Sequence, residues 1–242
     1  MTMVLLVVLA LAGAPGGVEA AEIEAVLARM EAAYAAVHSY TARFIREERI
    51  GDVLRPREEG LLKFQRPGRL YLRWIAGPPR GREILFVEGR DDERILVHEP
   101  AGLGRLFTIA MPPDSPRVFR ESRHPITDVG VGPLLGLIAG NARRALRHGD
   151  LTVIIGPGPE GAGRRVELVL PREPAKGYYC YRALVSVDGA TGLPVEATIF
   201  DWDDRQVAFY AYRDLKVNVD FTARDFDAGN PEYAFPRWRL KW

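Results

Sequence analysis

Arg69-Leu70-Tyr71-Leu72-Arg73-Trp74-Ile75 alternates with a period of two. Successive side chains of a strand point to opposite faces, so Leu70, Leu72 and Trp74 share one face. The pattern continues in both directions. Tyr40 to Ile50 and Val53 to Gln65 read as strands upstream, and Arg82 to Glu88 and Glu93 to Glu99 downstream. Gly51-Asp52, Pro67-Gly68, Gly77-Pro78-Pro79-Arg80-Gly81 and Gly89-Arg90-Asp91-Asp92 separate them, with compositions and lengths suited to hairpin turns. Strands joined this tightly form an antiparallel meander. Ile84 to Val87 and Ile95 to Val97 are apolar on both faces, so part of the sheet is expected to be covered twice.

Beyond residue 150 the same period returns in Leu151 to Gly156, Arg164 to Leu170, Tyr178 to Asp188, Leu193 to Trp202 and Arg205 to Asn218. Two helices interrupt the pattern. Ile23, Val26, Leu27, Met30, Tyr34 and Val37 recur at spacings of three and four, which predicts an amphipathic helix over Glu22 to Val37. The second runs from Val131 to Arg147, with Pro133 in its first turn and Gly149 at its end. Its glycines Gly132, Gly136 and Gly140 form a small-residue stripe that permits close approach of a backbone or a ligand. Residues 100 to 123 are a long connection in which Leu106 to Met111 is compatible with a strand. Thr222 to Phe226 predicts one capped helical turn. The expected architecture is mainly β, with about ten antiparallel strands and two helices in one domain over residues 21–242.

Residues 1–20 read as a secretory signal peptide. Val4 to Ala12 is apolar, helix breakers follow, and Val18-Glu19-Ala20 supplies small residues at the positions that precede cleavage, expected after Ala20. The apolar run is too short to span a bilayer, which needs about 20 residues. That places the protein in the periplasm or cell envelope. The 33 Lys and Arg against 32 Asp and Glu leave no basic field, which argues against nucleic acid. Cys180 is the only cysteine, so no internal disulfide framework exists.

Catalytic and metal-binding signatures are absent. Gly156-Pro157-Gly158-Pro159-Glu160-Gly161 spells G-x-G-x-x-G after a strand, but another strand follows where a phosphate-binding helix is required, so it reads as a hairpin loop. His38, His98, His124 and His148 have no metal-ligand spacing. Asp201, Asp203 and Asp204 fall in a hairpin turn, and the loop beginning at Asp225 lacks the acidic twelfth ligand of a calcium loop. The sequence thus predicts no catalytic residue, no metal and no cofactor. Were there a catalytic cluster, His124 with acidic neighbours is where titratable groups would converge.

An early helix, then Tyr40-Thr41-Ala42-Arg43-Phe44, then a meander carrying Phe64-Gln65-Arg66-Pro67 and Tyr71-Leu72-Arg73-Trp74, resembles the LolA-type carriers of bacterial lipoproteins. Arg123-His124-Pro125-Ile126-Thr127 before the glycine-rich helix resembles a narrower group, the domain-of-unknown-function family 1571. So do Leu215-Lys216-Val217-Asn218, Asp225-Phe226-Asp227 and Asn230-Pro231-Glu232-Tyr233. The resemblance implies an incompletely closed antiparallel barrel with helices over an apolar cavity. It also implies that Arg66 is the arginine that hydrogen-bonds the lid and gates the cavity. Leu70, Leu72, Trp74, Leu134 and Ile138 are the candidate ligand-binding residues. The expected partner is a lipid or an acylated lipoprotein, held by a monomer in transient contact with a membrane. An envelope sensor or protein-interaction domain on the same fold is the alternative, and an enzyme on an open barrel the third reading.

Overall fold

The computed structural model describes residues 15–158 and 163–241. The expected signal segment lies mostly outside them. Helix α1 (Pro15–Ala35) begins before the expected Glu22, so the expected cleavage point after Ala20 falls inside it. Its apolar face is the one the spacing predicts. Ile23, Val26, Leu27 and Met30 are buried, and so is Val37 just beyond the helix end.

Strands β1 (Ser39–Ile50), β2 (Val53–Leu54), β3 (Glu58–Gln65), β4 (Arg69–Ala76), β5 (Glu83–Val87), β6 (Ile95–His98) and β7 (Thr108–Met111) form the first meander. The short helix α2 (Pro116–Phe119) and the long helix α3 (Val131–His148) follow. The second meander is β8 (Thr152–Pro157), β9 (Arg164–Val169), β10 (Arg182–Val187), β11 (Pro194–Phe200) and β12 (Gln206–Val217), and β13 (Arg239–Lys241) comes last. The spatial order is β13-β7-β6-β5-β4-β3-β1-β12-β11-β10-β9-β8, with β2 on β1. The first strand is therefore central: β1 pairs with β3 on one side and β12 on the other. Every pairing is antiparallel except β13 with β7. The two ends of the path, β13 and β8, do not pair, so the sheet is mainly antiparallel and incompletely closed, as expected.

The described residues hold thirteen strands where about ten were expected. Pro56 has no N–H to donate to a ladder, and the single strand expected over Val53 to Gln65 divides there into β2 and β3. The three residues of β13 are all exposed and carry no alternation to read. The expected strand from Tyr178 starts only at Arg182, because the Tyr179 N–H donates to Asn141 Oδ1 of α3 (3.0 Å) instead of a neighbouring strand. β8 and β9 meet at Pro157 and Arg164, so the glycine–proline loop does connect a hairpin, although residues 159–162 lie outside the described ones.

The main core fills the inner face, where Phe44, Leu62, Leu70, Leu72 and Trp74 meet α1 and α3. A second core lies on the outer face. There Tyr71, Leu85, Val87 and Leu96 are covered by Phe226 and Tyr233 of the C-terminal segment, Tyr233 stacking on Tyr71 at 3.9 Å. The Asp225 carboxylate accepts from the Thr222 N–H (2.9 Å) and the Lys63 ammonium (2.8 Å), fixing the expected capped turn onto the sheet. The double apolarity of β5 and β6 thus serves two cores.

Helix α3 starts without a conventional side-chain cap. Its first N–H groups, at Gly130 and Val131, donate to the hydroxyls of Tyr212 (2.9 Å) and Tyr40 (3.1 Å), which stand on β12 and β1. The backbone must come this close, and Gly130 (φ 144°) leaves no room for a side chain: a Cβ there would lie 2.7 Å from the Tyr40 oxygen. A Cβ on Gly132 would meet the Tyr34 hydroxyl of α1 at 2.2 Å. Gly136 and Gly140 face open space, so the expected close-approach stripe operates only at its first member. At the other end, Arg143 holds both Glu24 (2.6 Å) and Glu31 (2.6 Å) of α1, and Gly149 closes the helix in the left-handed conformation.

Tyr40→Phe or Tyr212→Phe strips one acceptor from a buried N–H at nearly constant volume. Each is expected to lower unfolding free energy by about 1–2 kcal/mol. Urea denaturation checks this, and an unchanged midpoint for both variants would remove the cap from the account.

Candidate functional site

Cross-strand rows locate the open space. Trp74, Gly60, Phe44 and Tyr212 form one row across β4, β3, β1 and β12, and Glu58, Arg46 and Tyr210 form the next. Over these rows lies a cavity of about 350 Å³, with Phe44, Leu134, Leu137 and Tyr212 on its apolar side and Arg46, Glu48, His124 and Tyr210 on its polar side. A smaller cavity of about 70 Å³ lies beneath Trp74 and shares Arg46, Ser122, His124 and Val129 with the first. A third, nearly filled at about 20 Å³, continues along α3 past Leu134 and Ile138 to Cys180. Shared lining residues join the three into a run: the first and third lie between α3 and the inner face, while the one beneath Trp74 is covered by Val118 of α2 and by the 122–129 segment.

The candidate ligand-binding residues divide accordingly. Trp74, Leu134 and Ile138 line this run. Leu70 and Leu72 do not: they lie two rows and one row away respectively, fully packed in the core. Leu72 is pressed over Gly60, where a Cβ would come within 2.7 Å of its Cδ1. Alternation alone put them on the correct face but says nothing about which rows the helices fill. Arg66, the candidate latch, donates from Nη2 to the Tyr34 carbonyl at the end of α1 (3.0 Å), with its guanidinium 4.4 Å from the Tyr34 ring. Its direct partner is thus α1. α3 is reached only through Tyr34, which packs on Gly132.

The polar side was not anticipated from sequence, apart from His124. Arg46 and Glu48 are nearly fully buried. Arg46 donates from Nε to Glu58 (2.6 Å) and from Nη1 to the Ser122 hydroxyl (3.0 Å), and lies 4.7 Å over the Trp74 ring. Glu48 accepts from the Tyr210 hydroxyl (2.6 Å) and the Arg123 N–H (3.2 Å). His124 Nε2 meets the Tyr179 hydroxyl at 2.6 Å, and Nδ1 lies 3.9 Å from Asp128. The signal was available: Tyr40, Ala42, Phe44, Arg46 and Glu48 occupy the inward positions of β1, and the last two are charged. A buried charge is stable only when paired and hydrogen-bonded, and these two are.

Burial pushes the Tyr210 and Tyr179 hydroxyls up and the His124 imidazole down, the last against the pull of Glu48 and Asp128. Cys180 is pushed up to about 11 by burial, which keeps it a thiol. The titratable groups around His124 do converge, yet they satisfy one another. The Ser122 hydroxyl accepts from the His124 backbone N–H (3.4 Å). Asp201, in the hairpin turn, accepts from Asp203 and Arg205 (3.1 and 2.9 Å). Among the described residues no helix is long and apolar enough to cross a membrane.

His98 is buried where His124 is half-buried, its Nδ1 is unpartnered, and its pKa is also lowered by burial. The unfolded chain therefore takes up protons at these sites before the folded one does. Stability is expected to fall as pH drops below the ordinary imidazole value of 6.5. The double variant His98→Gln/His124→Gln should show a flatter profile between neutral pH and about pH 5 by urea unfolding. Identical slopes for variant and wild type would refute the assignment.

No curated protein matches the sequence significantly. Among solved structures, an uncharacterised conserved protein of Thermus thermophilus aligns at 11% identity over 91% of this chain and 99% of its own, with a TM-score of 0.49. MucB aligns at 17% identity over 92% and 68%, with a TM-score of 0.48. A LolA superfamily protein of Nitrosomonas europaea aligns at 12% identity over 84% and 96%, with a TM-score of 0.38. Residues 37–235, nearly the whole double meander with its helix and C-terminal cover, match the family described as protein of unknown function DUF1571, and the chain belongs to that family.

Proposed function

We propose that this protein is an exported, non-catalytic carrier of the cell envelope, holding a lipid or the acyl chains of a lipoprotein beneath α3. The observation that carries this reading is the cavity of about 350 Å³ between Phe44, Leu134, Leu137 and Tyr212, which shares Arg46, Ser122, His124 and Val129 with a second space under Trp74. Its volume falls within the range of small-molecule sites. Each methylene taken from water into such a space gains about 0.8 kcal/mol. A membrane offers a similar gain, so transfer between the two lies near balance and small contacts decide uptake or release. Arg66 is the contact proposed for that role, because it grips the last turn of α1, which braces α3 at Gly132.

A protein-binding role on the same fold has one observation in its favour. Leu103 and Trp238 are 80% and 76% exposed, and their segments meet where the Thr108 N–H donates to the Trp238 carbonyl (2.8 Å) at the end of the sheet.

Mass spectrometry of organic extracts from protein exported and purified without detergent tests the first reading: stoichiometric lipid or acylated peptide is expected. An extract free of both, with an envelope protein captured instead, would favour the second. Arg66→Leu should lower stability by less than about 1 kcal/mol, since its contacts are exposed. It is expected to change the off-rate of a bound fluorescent lipid several-fold, and an unchanged off-rate would end the latch role.

A further inference from the structure

The walls of the cavity beneath Trp74 and of the larger one beside it have hydrogen-bond donors left over. The Trp74 indole Nε1 is fully buried and has no acceptor. Its opposite edge, at Cε3, faces Gly60, so the N–H edge is turned away from the β3 backbone. The buried Ser122 hydroxyl has two lone pairs and one proton. Arg46 Nη1 and the His124 N–H donate to it, and neither contact uses its own O–H. A buried donor without a partner costs about 1–3 kcal/mol. Both residues line the cavity beneath Trp74, and Ser122 also lines the larger one.

The charges on those walls are already balanced. Arg46 contacts Glu58 (2.6 Å) and Glu48 (3.8 Å), while Arg82 contacts Glu99 (2.9 Å) and Glu121 (2.6 Å). Arg117 shares Glu99 at 3.6 Å. No surplus cation is present among these residues to receive an anion, and an ionised group enclosed there would lose hydration without compensation. An uncharged acceptor meets neither obstacle.

From these two facts we infer that the junction of the cavities is a head-group subsite for a neutral carbonyl oxygen, that of an ester- or amide-linked acyl chain, and that it discriminates against free carboxylates. The carbonyl accepts from Trp74 Nε1 and the Ser122 hydroxyl while the chain lies along Phe44 and Leu134. The inference rests on the carrier reading above and adds which end of the ligand is recognised.

Three ligands of one chain length separate the two claims: dodecane, methyl dodecanoate and, at about pH 8 where its carboxyl is ionised, dodecanoate. Each displaces a fluorescent apolar probe from delipidated protein. The ester is expected to bind about tenfold tighter than the alkane, the factor given by about 1.4 kcal/mol from the hydrogen bonding. Dodecanoate should bind no tighter than the alkane. Ser122→Ala and Trp74→Phe should each lower the ratio of ester to dodecane affinity several-fold, a ratio that a change in the apolar wall alone would leave in place. Ser122→Ala keeps the test open if the tryptophan variant fails to fold. Equal binding of ester and alkane, or stronger binding of the carboxylate, would overturn the subsite and leave the apolar cavity standing. Failure of all three ligands to displace the probe would overturn the carrier reading itself, and the subsite with it.

Discussion

The N-terminus of α3 rests on two phenol hydroxyls, and much of the architecture follows from that contact. Tyr40 and Tyr212 project from β1 and β12, the two strands that join the meanders, and accept the N–H groups of Val131 and Gly130. A helix start buried without such partners is costly. The two acceptors therefore fix where α3 enters the inner face. The helix leaves space unfilled beside Phe44, Tyr210 and Tyr212, and the larger cavity is what remains beneath it. Arg143, gripping Glu24 and Glu31, fixes the far end on α1.

The sheet is rigid because it is packed on both sides where it needs to be. Leu85, Val87 and Leu96 lie under Phe226 and Tyr233, while Ile95 and Val97 face the main core. The C-terminal segment thus acts as an outer layer over the first meander. The interior can then leave space unfilled without loss of the scaffold, which is the physical condition for a binding cavity in a single domain.

Within that space, apolar and polar walls are separated along one strand. β1 presents Tyr40, Ala42 and Phe44 and then Arg46 and Glu48 to the same side. The charged pair is held by hydrogen bonds to Glu58, Tyr210 and the Arg123 backbone. The Trp74 N–H and the Ser122 O–H are left without acceptors on that polar side.

Local pattern was enough for the elements. Period two in Tyr40 to Glu99 and Leu151 to Asn218, period 3.6 around Leu27 and Leu134, and turn residues between them specify an antiparallel sheet with two inward-facing helices, because periodicity is a property of neighbouring residues. It also placed Trp74, Leu134 and Ile138 on the correct faces. It could not separate Leu70 and Leu72 from Trp74, since all three satisfy the same alternation and only what packs over each row distinguishes them. Nor could it assemble Arg46, Ser122, His124 and Tyr210, which are far apart in the chain and meet only because β1 pairs with β12 while the 122–124 loop folds back over both. The sequence by itself determined the two long helices, most of the strands and their apolar faces. Tertiary structure alone decided where the cavity opens and which charges line it, because both depend on contacts between segments that no local period relates.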